Sequence, residues 1–466
     1  MQPAKLAPHA ALALLGLIAT FFMGTSLAAP ERAAVLPLPP PAQASIEALP
    51  HAGDELRIGL LTIGPGEIYW QRFGHNAIWI ADSASQTERL YNFGIFDFFE
   101  QGFLVNFIAG RMTYRLVAGD PEPELALYRS EGRSIEVQWL DLPPAARRAL
   151  RDALDLNALP HNAAYRYDYF ADNCSTRVRD ALNRATDGAI ESATRHRSRG
   201  FTERMHALRL TAAEPWLYLG IDVGLGPSAD QPLSFYQEMF IPMRLSAALK
   251  DVVIERADGS MVPLLAQTQR LAEARVPQPP ALPPVWLWRF LLLGLGIAVA
   301  LWWLSLAEPR HWRRRLLGAG SAALWLASGI GGLALTYLAF FSEHRTAHGN
   351  ENIALFNPLA LLLLPIAWHW CRGRRAHPSV TVFIAGLIAA CAFWIWLAKV
   401  LPGIRQDNLN WIALWLPIHA MLCAILIREG KTAQTEELTA ALAASKARGP
   451  CLTSLLRIDD EAKRSK

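Results

Sequence analysis

A cysteine and a histidine about a hundred residues apart are the residues of this chain best suited to covalent chemistry. Cys174 lies in Asp172-Asn173-Cys174-Ser175-Thr176, where a helical pattern begins, and His75 lies in Phe73-Gly74-His75-Asn76, where an alternating run opens. The thiolate is the nucleophile in cysteine chemistry, and a helix N-terminus lowers a thiol's pKa through its unsatisfied N–H groups. Those N–H groups, with Asn173 and Ser175, are placed to hold an oxyanion or position a substrate. A neutral imidazole takes the thiol proton and returns it to a leaving group. His75 suits that task because the glycine before it keeps the backbone uncrowded. A third polar group usually orients the histidine, and Asn92 is the first candidate, with Asp97 and Tyr91 beside it. The layout predicts nucleophilic acyl transfer.

These side chains need strands and helices to position them. Residues 56–63, 76–81, 90–98, 114–117 and 134–140 alternate or cluster in the strand manner. Residues 143–157 predict a helix, entered through Pro143-Pro144, with Leu150, Leu154 and Leu156 recurring at helical spacing. A second helix is predicted over 175–186, basic on one side through Arg177, Arg179 and Arg184. Residues 200–270 carry no clear period. Together, residues 55–275 predict one α+β domain, preceded by a Pro/Ala-rich linker over 29–54 and followed by a proline-rich hinge over 276–284.

Beyond the hinge the composition changes. Five apolar stretches between 285 and 428 each approach the length that crosses a hydrocarbon core, with tryptophans such as Trp286, Trp303 and Trp411 near their ends. Arg313, Arg314 and Arg315 join the first two, Arg372, Arg374 and Arg375 join the third and fourth, and Arg428 and Lys431 follow the fifth. The positive-inside rule puts these segments in the cytoplasm, together with the tail 429–466. The N-terminal domain, and the loops holding Arg345 and Arg405, then lie outside. Residues 1–28 predict a signal peptide or N-terminal anchor, with small residues at Ser26-Leu27-Ala28. The net charge of +4 lies largely in the span flanks, so it argues orientation rather than nucleic-acid binding. Cys371, Cys391, Cys423 and Cys451 fall in the spans, at their cytoplasmic edge or in the tail, which leaves Cys174 without an intrachain partner outside. An exported unpaired thiol is unusual in an oxidising compartment. An intermolecular disulfide and a buried small hydrophobe are the non-catalytic explanations.

Three segments in order, 73–80, 90–98 and 172–180, resemble the Lnb family of lipoprotein N-acyltransferases. The resemblance continues through Glu343-His344-Arg345-Thr346-Ala347-His348-Gly349-Asn350-Glu351-Asn352, similar to that family's polar loop between spans. It implies a permuted papain-like (NlpC-like) cysteine domain outside the cytoplasmic membrane, since the histidine strand precedes the cysteine helix, followed by about five transmembrane helices. It also implies Cys174 and His75 as catalytic pair, no metal and no soluble cofactor. The substrates implied are membrane lipids and diacylated lipoproteins. An acyl chain would pass through a Cys174 thioester to a lipoprotein's N-terminal amine. An envelope hydrolase (a lipid deacylase, or a peptidoglycan peptidase or amidase) uses the same pair, and a non-catalytic scaffold uses neither.

The outer loop adds a second polar cluster. His344 and His348 are four apart, as zinc ligands on a helix can be, yet no HExxH pattern is present and Gly349 argues against a continuous helix. A solvated turn, docking onto the catalytic domain and lipid head-group binding are the other readings for His344, Asn350 and Asn352. Pro358, Pro365 and Pro417 can kink their helices or mark local irregularity in a packed bundle. Lys399, at a span end, is expected to snorkel.

Overall fold

The computed structural model describes residues 53–97, 99–308, 311–374, 379–401 and 406–447. The expected signal peptide, most of the linker, Arg375, Arg405, Cys451 and the end of the tail lie outside the described residues.

The N-terminal domain is built on a seven-stranded sheet. Its strands are β1 (Leu56–Ile63), β2 (His75–Asp82), β3 (Thr87–Ile95), β4 (Thr113–Gly119), β5 (Ile135–Leu140), β6 (Ala164–Arg166) and β9 (Leu265–Ala272), and a small hairpin of β7 (Val253–Glu255) and β8 (Met261–Pro263) stands apart. The order is β6-β4-β3-β2-β1-β5-β9, with every neighbouring pair antiparallel. Helices α1 (Phe103–Ala109), α2 (Pro121–Ser130), α3 (Pro144–Ala158), α4 (Cys174–Ala185), α5 (Ala189–Thr194), α6 (Glu203–Leu210), α7 (Pro215–Gly224), α8 (Phe235–Glu238) and α9 (Pro242–Leu249) complete the domain.

Side chains two apart along a strand share a face of the sheet. One face carries Ile58, Leu60, Ile78, Ile80, Tyr91 and Phe93, buried against Leu150 and Leu154 of α3, Val178 and Leu182 of α4 and Leu245 and Leu249 of α9. The other carries Leu61, Ile63, Ala77, Trp79, Leu90 and Val137, buried with Leu125 of α2. Strands buried on both faces explain why β1 and β2 are apolar runs rather than strict alternations.

The stretch with no period, residues 200–270, holds α6 to α9 and the last three strands. Its helices are short and separately started: Thr202 caps α6, Pro215 and Pro242 open α7 and α9, and Ser234 makes a capping box at α8. Helix α6 buries Arg204, His206 and Arg209 along with Ala207, Leu208 and Leu210, which erases its apolar stripe.

Among the described residues, five helices follow that are long and apolar enough to cross a membrane. The first is α10 (Leu287–Ser305) and the second α11 (Trp312–Phe340). The third runs over Glu351–Cys371 and ends in α12 (Leu364–Cys371); α13 (Ser379–Ala398) and α14 (Leu409–Ala447) are the last two. Their mainly aliphatic core includes aromatic clusters, with Trp325 against Trp370 and Phe356 between Trp411 and Trp415. Pro358 and Pro365 mark a local irregularity: they open a 3-10 turn (Pro358–Leu363) and α12, so the third span is assembled from pieces. Lys399, at the end of its span, is ion-paired with Glu351 and donates to the Gln406 carbonyl at 2.7 Å.

Candidate active site

Cys174 is the first residue of α4, and the chain starts a helix there for a local reason. The Asn173 carboxamide oxygen accepts the Thr176 N–H at 2.9 Å, and the Thr176 hydroxyl accepts the Asn173 N–H at 2.8 Å. The Asn173 amide nitrogen donates to the carbonyls of Tyr169 and Phe240 at 2.9 and 3.0 Å. The Asn173 side chain, expected at an oxyanion, is therefore fully occupied in capping and anchoring the helix. The Ser175 hydroxyl is likewise withdrawn from the surface, 2.8 Å from Asn76 Oδ1 and 2.5 Å from the Met239 carbonyl. Ser175 fixes the height of α4 against β2 and the segment after α8.

Strands β2 and β3 separate at the site. Their ladder stops at Ile78–Tyr91, while His75, Asn76 and Ala77 keep pairing with β1. Beyond Asn92, β3 shifts register against β4, with Gly94 at φ +92° inside the irregularity. A Cβ on Gly94 would lie 3.2 Å from Cys174 Cβ, so the bulge clears the space that the thiol side chain needs.

In the opening, His75 Nε2 lies 3.0 Å from Asn92 Oδ1. The Asn92 amide nitrogen donates to Glu124 of α2 at 2.7 Å. That second bond fixes which end of the carboxamide faces the ring. His75 is therefore the Nε2–H tautomer, and Nδ1 keeps its lone pair. Burial, opposed by the Asn92 hydrogen bond and reinforced by the Arg133 charge, lowers the His75 pKa to about 4. Its ring is neutral near pH 7.

The thiol departs from expectation. Burial raises the Cys174 pKa, against the pull of the N–H groups of Asn76, Ser175 and Cys174 itself and of the Arg133 charge. The helix terminus is present, but desolvation of the thiolate outweighs it. Thiol and imidazole thus rest neutral together. The Asn76 N–H is free to meet the sulfur because β3 no longer pairs beside it.

Four contributors were not evident in the sequence. Glu124 sets Asn92. Asn76 ties β2 to α4, its amide nitrogen bonded to Thr62 Oγ1 at 2.8 Å and its oxygen to Ser175. Arg133 is buried, held by the Gly64 carbonyl at 2.9 Å and lying over the Tyr128 ring, and its charge acts on both His75 and Cys174. Tyr165 has a buried hydroxyl with no hydrogen-bond partner among the described residues, 3.8 Å from where a Gly94 Cβ would sit. Asp97 and Tyr91 do not orient His75: Asp97 Oδ1 accepts the Phe99 N–H, and the Tyr91 hydroxyl donates to Asp155 at 2.6 Å.

From the thiol's surroundings a row of rings leads outward. Tyr114 stacks on Tyr167 at 4.0 Å and on Phe96 at 4.7 Å, Phe96 on Phe103 at 5.8 Å, and Phe103 on Phe107 at 6.2 Å. The outer loop meets this row. His344 stacks on Tyr169, and its Nε2–H donates to the Phe107 carbonyl at 2.9 Å. His348 bonds the Ser342 carbonyl instead, so the two histidines serve separate carbonyls across a 3-10 turn. Asn350 donates to the Val223 and Gly224 carbonyls, both at 2.9 Å, and Asn352 to Val223 at 3.0 Å. The three loop residues singled out in the sequence all dock onto the N-terminal domain, but only His344 reaches the aromatic row.

The model of the Lnb N-terminal periplasmic domain matches residues 51–210, and the model of the Lnb transmembrane domain matches residues 283–403. No curated protein and no solved structure matches the chain.

Proposed function

From the premise that this chain belongs to the Lnb family, a multi-pass membrane protein with a periplasmic domain, we propose that it is a cysteine acyltransferase of the cytoplasmic membrane. Its substrate would be a diacylglyceryl-modified lipoprotein, whose acyl chain it moves to the N-terminal amine.

The observation that carries this reading is the paired setting of Cys174 and His75. The thiol meets three backbone N–H groups, one of them that of Asn76, the residue after a neutral histidine whose Nε2–H is held by Asn92. His75 Nδ1 takes the proton as the sulfur attacks the ester carbonyl. The N–H groups and the Tyr165 hydroxyl hold the resulting oxyanion. Collapse breaks the C–O bond, His75 returns the proton to the glycerol oxygen, and a thioester remains with a lyso-lipid. The lipoprotein's free amine then attacks the thioester. His75 takes the amine proton and passes it to the departing sulfur, restoring the thiol and leaving an amide. Ester and amine become alcohol and amide, with no other reactant.

Two features support transfer over hydrolysis. The thiol is half-buried beside Tyr114, Tyr165 and Tyr167, which narrows the approach of water. The domain is hydrogen-bonded to the span loops, where a lipid-anchored ester and amine are held at high effective concentration.

The test is mass spectrometry of a model lipoprotein's N-terminal lipopeptide, in cells depleted of their usual N-acyltransferase. An N-acylated lyso form is expected with the intact protein and not with Cys174→Ala. Lyso-lipoprotein without N-acylation would instead identify a deacylase. Unchanged diacylated lipopeptide, with both proteins expressed, would remove the reading.

A further inference from the structure

Helix α1 presents an apolar face that the described residues leave uncovered. Leu104, Val105, Phe107 and Ile108 are exposed, Val105 to 70%, and Phe99 just before them to 96%. The fold indicates what covers this face. The carbonyl of Ala109, the last residue of α1, accepts the Glu343 N–H at 2.8 Å. Glu343 also takes Arg111 Nε at 2.8 Å and pairs with Arg166. Gly110, at φ +72°, is pressed so closely on this loop that a Cβ would lie 2.8 Å from the His344 nitrogen. Helix α1 is thereby fixed to a residue three positions beyond α11.

Helix α11 sets the height of that point. Its 29 residues span roughly 43 Å at 1.5 Å per residue, about the thickness of a bilayer from head group to head group. It begins in the basic segment Trp312-Arg313-Arg314-Arg315 and ends at Phe340, where Phe340 and Phe341 are also exposed. The bond from Glu343 to Ala109 holds α1 at the level of that end. The charged partners Arg111, Arg166 and Glu343 tie the end of α1 to the loop, while Leu104, Val105 and Ile108 stay exposed.

We propose that α1 is an interfacial helix, its Leu104-Val105-Phe107-Ile108 face seated in the head-group and acyl boundary of the periplasmic leaflet. The occupant is the bilayer itself. The row of stacked rings that begins at Phe107 and Phe103 then joins this lipid contact to the neighbourhood of Cys174. The proposal does not depend on which acyl acceptor the enzyme uses.

The full chain would be placed in nanodiscs of phosphatidylethanolamine and phosphatidylglycerol containing a phospholipid with a diazirine near its ester. After illumination, the tryptic peptide covering 90–111 would be scored for lipid adducts. Labelling within about threefold of the span-end peptides is expected. It should fall about tenfold or more in Leu104→Glu/Val105→Glu, the effect of losing some 1.4 kcal/mol of apolar contact. A milder Leu104→Ser/Val105→Ser variant should fall between, which guards against a misfolded glutamate variant. An unlabelled wild-type peptide beside labelled spans would overturn the proposal. So would labelling that ignores both variants, or a photoproduct that joins two protein chains at this peptide instead of lipid.

Discussion

His75 is kept neutral by its surroundings, and its protonation sets the acid limit of the proposed chemistry. Its folded pKa of about 4 lies below the ordinary value of 6.5. Between those values the unfolded chain binds a proton that the folded chain excludes, so stability falls as the pH drops through that window. The base form persists down to about pH 4. Turnover measured against pH is therefore expected to hold its plateau through pH 6 and to halve near 4; halving near 6.5 would mean that water reaches the ring. Tyr165 allows a second test. Its hydroxyl is buried without a partner, so Tyr165→Phe removes a group that costs desolvation and gains no bond. Thermal stability should be unchanged or slightly higher. Turnover should drop about a hundredfold if the hydroxyl meets an oxyanion. Equal activity in the two proteins would place it outside the reaction. Cys174, His75 and Asn92 stood out in the sequence because their residue types carry chemistry. Arg133 and Tyr165 did not, because a buried arginine and a tyrosine in a three-residue strand look like structural residues until the fold brings them together.

The elements matter through where they stop. Strand β2 loses its partner at Ile78, α4 begins at the nucleophile, and the irregularity at Gly94 makes room between them. Gly94→Ala adds a Cβ against Cys174 on a backbone at φ +92°. It should cost about 1–2 kcal/mol of stability and remove turnover by displacing the thiol. Gly119→Ala, in the next strand with nothing within 4 Å of the new carbon, should match wild type in both. Denaturant unfolding and lipopeptide assays check the pair, and equal behaviour would show that the bulge tolerates a side chain. Strand β1, and helices α3 and α4 to within a residue or so, were legible from apolar pattern and helix starts. Helix α2, which supplies Glu124, was missed although its signals are present: Asp120 as cap, Pro121 next, then Glu122 and Glu124 in the first turn. Helices α6 to α9 were illegible for a different reason. Each is too short to show a clear period, and the link between α8 and α9 offers the Met239 and Phe240 carbonyls to the start of α4.

At the scale of the molecule, composition divided membrane from extramembrane parts, but their junction could not be read. Docking was one of several readings for the outer loop. Its asparagines meet the carbonyls of Val223 and Gly224, and backbone atoms carry no signature in a sequence. Side chains complete the junction: Trp411 Nε1 donates to Asp222 at 3.0 Å, Arg204 is buried between Asp222 and Asp230, and Gln406 bridges Leu225 and Asn350. A domain bonded to its spans at so many points cannot rise or sink over the bilayer. For the proposed acyl transfer, the sulfur would be carried at one altitude, and only ester bonds that a lipid presents at that altitude would come within reach. Such a placement would select the substrate the way a depth gauge does, by how far the carbonyl stands from the midplane, before any pocket had tested its shape.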